Sequence, residues 1–230
     1  MKLKHLLSDC ISLFFPDLCA HCGEALMEGE AFFCLHCLLD LPKTRYCSFK
    51  NNAASERFRG KIPLENATAY LYYNKGGIGQ ELIGAIKYKG NIRLAKWIGS
   101  RLAKELLPSG FFEGIDYLIP IPLHAKKLKR RGFNQSEIIA EGIASVTHIP
   151  LETNNLFRKQ ANITQTKKGI YERWKNTSGI FQIKDKQLFS GKHLLLIDDV
   201  LTTGATLEAN AVCLLKSSNV KISILTVAIA

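Results

Sequence analysis

The stretch Leu194-Leu-Leu-Ile-Asp198-Asp199-Val-Leu-Thr202-Thr203-Gly204-Ala205-Thr206 constrains the fold more than any other part of the chain. Four consecutive apolar residues with no polar alternation predict a strand covered on both faces, as in a parallel sheet between helices. Two carboxylates follow at the C-terminal end of that strand, where open α/β sheets bind their ligands. Small hydroxyl residues and a glycine then lead directly into a helix. Gly204 and Ala205 carry little side chain, so the backbone can wrap an anion closely. Thr202, Thr203 and Thr206 add hydroxyl donors, and the helix start adds unpaired amides and its positive dipole end. Together these groups suit a dianionic phosphate. Asp198 and Asp199 suit acceptor contacts to sugar hydroxyls and to a hydrated Mg²⁺. Adjacent acids at a buried strand end repel one another, so two incidental carboxylates on a capping loop would be costly. The loop lacks the Gly-Lys-Ser/Thr ending of nucleoside-triphosphatase loops.

The surrounding pattern supports an α/β fold. Ala67–Tyr73 reads as a strand, followed by a helical face of Ile78, Leu82, Ile83 and Ile86. Asn91 caps a longer helix carrying Ala95, Ile98, Leu102 and Leu106. Tyr117–Ile121 reads as a strand, Asn134 as the start of a helix, and Ala205–Lys216 as a helix between buried strands at His193–Ile197 and Lys221–Ala228. Strand, helix and strand at this spacing predict parallel pairing through right-handed crossovers. The polar stretch 47–60 reads as a linker. It divides a small unit, 1–60, from the α/β domain, 61–230.

Six of the seven cysteines precede residue 48, and four of them form the pairs Cys19-Ala-His-Cys22 and Cys34-Leu-His-Cys37. Two-residue spacing lets two thiolates converge on one tetrahedral ion, and the intervening chain can double back to complete a four-sulfur structural zinc site. His21 and His36 are the substitutes if one cysteine takes no part. Cys10 and Cys213 fall on apolar helical stripes, and Cys47 has no assigned role.

Lysine and arginine exceed aspartate and glutamate by 31 − 20 = 11, which favours a polyanionic partner. Lys126, Lys127, Lys129, Arg130 and Arg131 place five cations in six positions. A second group comprises Arg158, Lys159, Lys167, Lys168, Arg173 and Lys175. The N-terminal stripe of Leu3, Leu6, Leu7, Cys10 and Phe14 is amphipathic and stops at Pro16. It is neither a signal core nor a membrane span, so a cytoplasmic protein with reduced thiols is expected.

The stretch 194–206 resembles the signature of type I phosphoribosyltransferases, which bind 5-phosphoribosyl 1-diphosphate with Mg²⁺. The resemblance implies that Thr202, Thr203, Gly204, Ala205 and Thr206 hold the 5′-phosphate. Asp198 and Asp199 then face the ribose hydroxyls as catalytic and ligand-binding residues. Oxopurine-salvaging members carry an aspartate where Thr202 stands, so their base specificity is not implied. Nearly the whole chain resembles the ComF family of competence proteins, through the cysteine quartet, Lys87-Tyr88-Lys89-Gly90, Pro120-Ile-Pro-Leu-His124, Arg131-Gly-Phe-Asn-Gln135, Gln165, Arg173, Asn176 and Phe181. In the resembling fold the loop after the early strand meets the diphosphate, and 158–173 matches the hood over the site.

Two readings follow. The first is phosphoribosyl (pentosyl) transfer to an unidentified acceptor, with basic residues and Mg²⁺ stabilising the departing diphosphate. The second is a non-catalytic sensor or scaffold in DNA uptake and natural transformation, where the resemblance implies single-stranded DNA and a competence helicase as partners. Tyr70-Leu-Tyr-Tyr73 is a candidate base-stacking run, although aromatics on a strand more often fill a core.

Overall fold

The alternating pattern closes into a four-stranded parallel sheet in the computed structural model, which describes residues 16–159 and 180–230. In chain order the strands are β1 (Asn66–Tyr72), β2 (Tyr117–Pro120), β3 (Leu156–Arg158), β4 (Phe181–Ile183), β5 (His193–Leu201) and β6 (Lys221–Ile229). The helices are α1 (Leu35–Leu39), α2 (Ala53–Glu56), α3 (Ile78–Tyr88), α4 (Ile92–Leu106), α5 (Ala125–Arg131), α6 (Gln135–Thr147) and α7 (Ala205–Leu214). The main sheet has the order β1-β6-β5-β2 with every pairing parallel, and β3 and β4 form a separate antiparallel pair.

The apolar run of β5 is covered on both faces, as its composition requires. Leu195 and Ile197 join a core with α3, α4 and α6, whereas Leu194 and Leu196 join a second core with α7, Phe58 and Phe189. This is the α/β arrangement expected from the sequence, a parallel sheet flanked by helices with the four cysteines gathered N-terminal to it. The strand runs past Ile197 through the acid pair, because Asp198 and Val200 pair with Thr226 and Ala228 of β6. Helices α4 and α6 touch backbone to backbone. A Cβ on Gly99 would lie 2.1 Å from the Ile139 carbonyl oxygen, and one on Gly142 would lie 2.1 Å from that of Lys96. That contact sets where the N-terminus of α6, and hence Ser136, meets β5.

The structure corrects the linker reading of 47–60. Asn52 caps α2, accepting from the Ala54 and Ser55 amides, and its amide group donates to the Ala67 carbonyl of β1. Ala54 and Phe58 are buried in the second core. Asn52 and Ser55 satisfy each other's backbone in a capping box, and Ala54 and Phe58 anchor the stretch. Helix α5 has no buried residue, so it left no apolar periodicity to find. The N-terminal stripe through Phe14, most of the hood, including Gln165 and Arg173, and Asn176 lie outside the described residues. No described helix is long and apolar enough to cross a membrane.

Candidate functional site

The site forms at the C-terminal end of β5. Gly204 takes φ +80° and caps α7, leaving the first-turn amides of that helix without partners inside it. Thr202, Thr203, Ala205 and Thr206 are exposed, and a small opening of about 50 Å³ lies over Asp198 and the run from Val200 to Leu207. Among the described residues no lysine or arginine lines it, and its amides, hydroxyls and helix dipole suit an anion. The turn fits this role because Gly204 rests on the buried Phe58 ring. A Cβ at that position would lie 2.9 Å from Phe58 Cε1.

A larger cavity of about 240 Å³ adjoins it, and the two openings share Asp198 and Thr206. Four fixed cations, Lys87, Lys127, Arg131 and Arg158, line this cavity together with His124, Gln135, Ser136, Asp198 and Asp199. Helix α5 begins at His124, whose Nδ1 accepts from the Lys126 amide. Lys127 and Arg131 are four residues apart and so share the face that meets the cavity, while Lys126, Lys129 and Arg130 are exposed and line neither opening. Arg131 donates to Gln135 Oε1 at 2.8 Å and lies over the Tyr88 ring. Arg158 enters from β3, with its guanidinium 5.5 Å from the centre of the Phe181 ring.

The acids have distinct surroundings. Asp198 Oδ1 accepts from Ser136 Oγ and from the Asp199 amide, both at 2.9 Å. Burial and the neighbouring Asp199 charge push its carboxyl up to about 7, against these hydrogen bonds and Lys87. That value lies above the ordinary 3.8, so the proton on Asp198 stabilises the free fold at low pH. The contribution is complete below the ordinary value and is lost as pH rises through about 7. Asp199 is only 4% exposed. Its Oδ1 lies 2.9 Å from Lys87 Nζ, and its Oδ2 is buried without a hydrogen-bond partner. A buried carboxylate oxygen left open beside a second acid fits the oxygen-ligand chemistry of a hydrated divalent cation.

The four cysteines converge as their spacing predicts. The sulfurs of Cys19, Cys22, Cys34 and Cys37 all lie within 4.8 Å of one another, and all four are free thiols. Cys22 and Cys34 are 3.7 Å apart, and a tetrahedral zinc with bonds of about 2.3 Å places its sulfurs about 3.8 Å apart. Burial pushes the Cys19 thiol up, but the amides of Cys22, Cys34 and His21 outweigh it and bring it down to about 6, whereas burial pushes Cys37 well up. It is the convergence and spacing of the four sulfurs that fit one structural ion. The histidines stand aside: His21 Nδ1 lies 2.7 Å from Glu81 Oε2 of α3, and the His36 side chain is 82% exposed near Asp40. Cys47 sits half-buried in a one-turn helix, and Cys213 is buried against the Phe181 carbonyl.

Of the tyrosine run, Tyr70 is only 4% exposed and belongs to the core, which rules it out as a stacking surface. Tyr88, at 77% exposed, stands beside Arg131 instead. Lys87 and Tyr88 carry no chemical role that consecutive residues reveal. The local signal for Lys87 is its place in the last turn of an amphipathic helix, where the dipole favours a cation.

No family model matches the chain. Competence protein ComFC of Bacillus subtilis (strain 168) is 31% identical over 211 residues, covering 89% of this chain and 81% of that protein. DNA utilization protein YhgH of Escherichia coli O157:H7 is 28% identical over 139 residues, 59% of this chain and 60% of that one. Competence protein F of Haemophilus influenzae is 32% identical over 92 residues, 40% of each chain. Among solved structures, glutamine phosphoribosylpyrophosphate amidotransferase from B. subtilis, complexed with ADP and GMP, overlaps 56% of this chain and 25% of its own at 21% identity and a TM-score of 0.40. A hypoxanthine phosphoribosyltransferase from Staphylococcus aureus overlaps 57% and 61% at 18% identity and a TM-score of 0.34.

Proposed function

The chain belongs to the ComF family of competence proteins, and from that membership we propose that it binds 5-phosphoribosyl 1-diphosphate with Mg²⁺ in the service of DNA uptake. The observation that carries this reading is the meeting of two unlike openings at Asp198 and Thr206. A phosphate monoester suits the cradle of amides and hydroxyls at residues 202–206, and a diphosphate suits the cavity of Lys87, Lys127 and Arg131. The ribose between them then lies over Asp198 and Asp199. Cys19, Cys22, Cys34 and Cys37 hold a structural zinc within the unit 1–60 that precedes the domain 61–230.

In a transfer reaction, the bond from the anomeric carbon to the diphosphate breaks and negative charge collects on the departing group. Lys127 and Arg131 stabilise that charge, and the carboxylates offset the positive charge developing on the sugar. A bound Mg²⁺ supplies further charge neutralisation on the diphosphate.

Titration calorimetry with phosphoribosyl diphosphate tests the reading. Binding is expected in Mg²⁺ and is lost with a chelator. It tightens about tenfold from pH 6 to pH 8, as the Asp198 proton with its raised pKa is shed. Asp198→Asn flattens that profile. Binding that ignores both the chelator and this substitution would sink the assignment. Diphosphate release with an acceptor panel separates an enzyme from a sensor.

A scaffold reading is favoured by a different observation. Lys126, Lys129 and Arg130 are exposed on α5 and line neither opening, and the exposed Tyr88 ring lies against Arg131 of the same helix. A cationic track with an aromatic platform suits single-stranded nucleic acid presented by a helicase partner. Neutralising the three cations is expected to weaken single-strand binding about tenfold and flatten its salt dependence in fluorescence anisotropy. An unchanged salt slope removes this surface from consideration.

A further inference from the structure

We propose that Lys87 is the resident counter-cation of the acidic pair: it holds Asp199 in the free protein and passes to the ligand's diphosphate when a divalent cation arrives. The identity of that anion rests on the function proposed above, whereas the exchange at Asp199 does not.

Lys87 lies in the last turn of α3 and reaches Asp199 Oδ1 at 2.9 Å, with the two side chains 20% and 6% exposed. An ion pair this buried contributes little net stability, since desolvation offsets most of the attraction. Its consequence is different: Asp199 is never left as an uncompensated charge at the end of the sheet. The pair is also incomplete. Asp199 Oδ2 and Arg131 Nε are both buried without hydrogen-bond partners on the wall of the same cavity. One awaits a donor or a cation, and the other awaits an acceptor. A diphosphate accompanied by a divalent cation supplies both.

The backbone under Lys87 is fixed while its side chain can move. Leu82, Ile83 and Ile86 bury α3 in the first core, and Glu81 ties the helix to His21 of the cysteine unit. The lysine stem is flexible and carries a compact charge, so it can cross a cavity whose wall it already forms. An ammonium on Oδ1 and a divalent cation on Oδ2 of one carboxylate repel each other at close range, so the arriving cation drives Lys87 off Asp199. A cation alone must displace Lys87 with nothing to receive it, whereas a cation arriving with a diphosphate gives Lys87 a new partner. Metal and anion therefore bind cooperatively, and the coupling is reciprocal.

Lys87→Met keeps the stem and removes the charge, and the full chain is titrated with Mn²⁺ alone and then with phosphoribosyl diphosphate. Mn²⁺ alone is expected to bind the variant about tenfold more tightly than the wild type, while phosphoribosyl diphosphate in Mg²⁺ binds about tenfold more weakly. Lys87→Arg restores wild-type ordering. A structural role would weaken both together, so opposite signs are the distinguishing result. Unchanged or weaker Mn²⁺ binding overturns the exchange. A second measurement avoids the variant altogether. Acylation of Lys87 in the wild type, read by mass spectrometry, is expected to rise at saturating Mg²⁺ and fall again when phosphoribosyl diphosphate is added. Labelling indifferent to Mg²⁺ overturns the exchange as well. Tighter Mn²⁺ binding with no phosphoribosyl diphosphate bound by either protein upholds the exchange and overturns the proposed ligand instead.

Discussion

A Cys37→Ser variant is expected to lose its zinc and, with it, the fold of residues 18–41, while the parallel sheet survives. The reason is how little that segment buries on its own account. Its regular structure is the five-residue α1, supplemented by the isolated bridges Leu18–Ala25 and Ala31–Phe33. Leu18, Met27, Leu35 and Leu39 are 57%, 76%, 62% and 74% exposed, so much of its apolar surface lies outside any core. Phe33 and Leu38 are buried, and Phe32 and Phe33 lie 5.7 and 5.8 Å from the Trp97 ring. Those few contacts do not offset the entropy of ordering two cysteine turns. Thiolate–zinc bonds do, being worth roughly 10–16 kcal/mol in small zinc modules. Plasma mass spectrometry is expected to find one zinc per wild-type chain and none in the variant. Trypsin should then cut the segment at least about a hundredfold faster, because local opening is no longer opposed by the metal. Chelation of the wild type should reproduce the effect. A wild-type chain that is free of zinc yet equally resistant to trypsin contradicts the assignment.

Gly204→Ala is expected to lower affinity for phosphoribosyl diphosphate about a hundredfold, as the cradle shifts by a fraction of an ångström. Two costs coincide at this position. The backbone sits at φ +80°, which charges an L side chain about 1–2 kcal/mol. The added Cβ also meets Phe58 Cε1 at 2.9 Å and Cζ at 3.2 Å. Phe58 is 1% exposed and cannot step aside, so the turn must move instead. Stability should fall by about 2–4 kcal/mol in denaturant titration. Adding Phe58→Leu should recover the steric part of that loss and leave the backbone part, which separates the two causes. Wild-type affinity in Gly204→Ala would show that the phosphate does not sit on this turn.

Phe58 marks the limit of what was legible. It lies in a polar stretch that reads as a linker, and only the fold brings it beneath Gly204. The local features were readable because each is written in consecutive residues: the doubly buried strand, the acids at its end, the small-residue turn and the paired cysteine spacing. Asn91 and Asn134 were readable as helix caps for the same reason, and both accept amide hydrogens of the helices that follow. The cationic wall was not. Lys127 and Arg131 share a helical face, but α5 buries no apolar residue to announce a helix. Arg158 enters from a three-residue strand too short for a visible period. The burial of Tyr70 depends on its being flanked by helix and cysteine unit together.

Taken alone, the sequence determined that this chain builds a two-sided parallel sheet, ends one strand in adjacent acids before a phosphate-type turn, and gathers four thiols. These follow from steric and solvation rules acting over a few neighbouring residues. Tertiary structure alone decided which cations face the acids, which oxygen of Asp199 stays open, and that Lys87 occupies the other. Those outcomes depend on helices far apart in the chain packing onto one sheet edge, where burial rather than sequence distance sets how strongly charges interact.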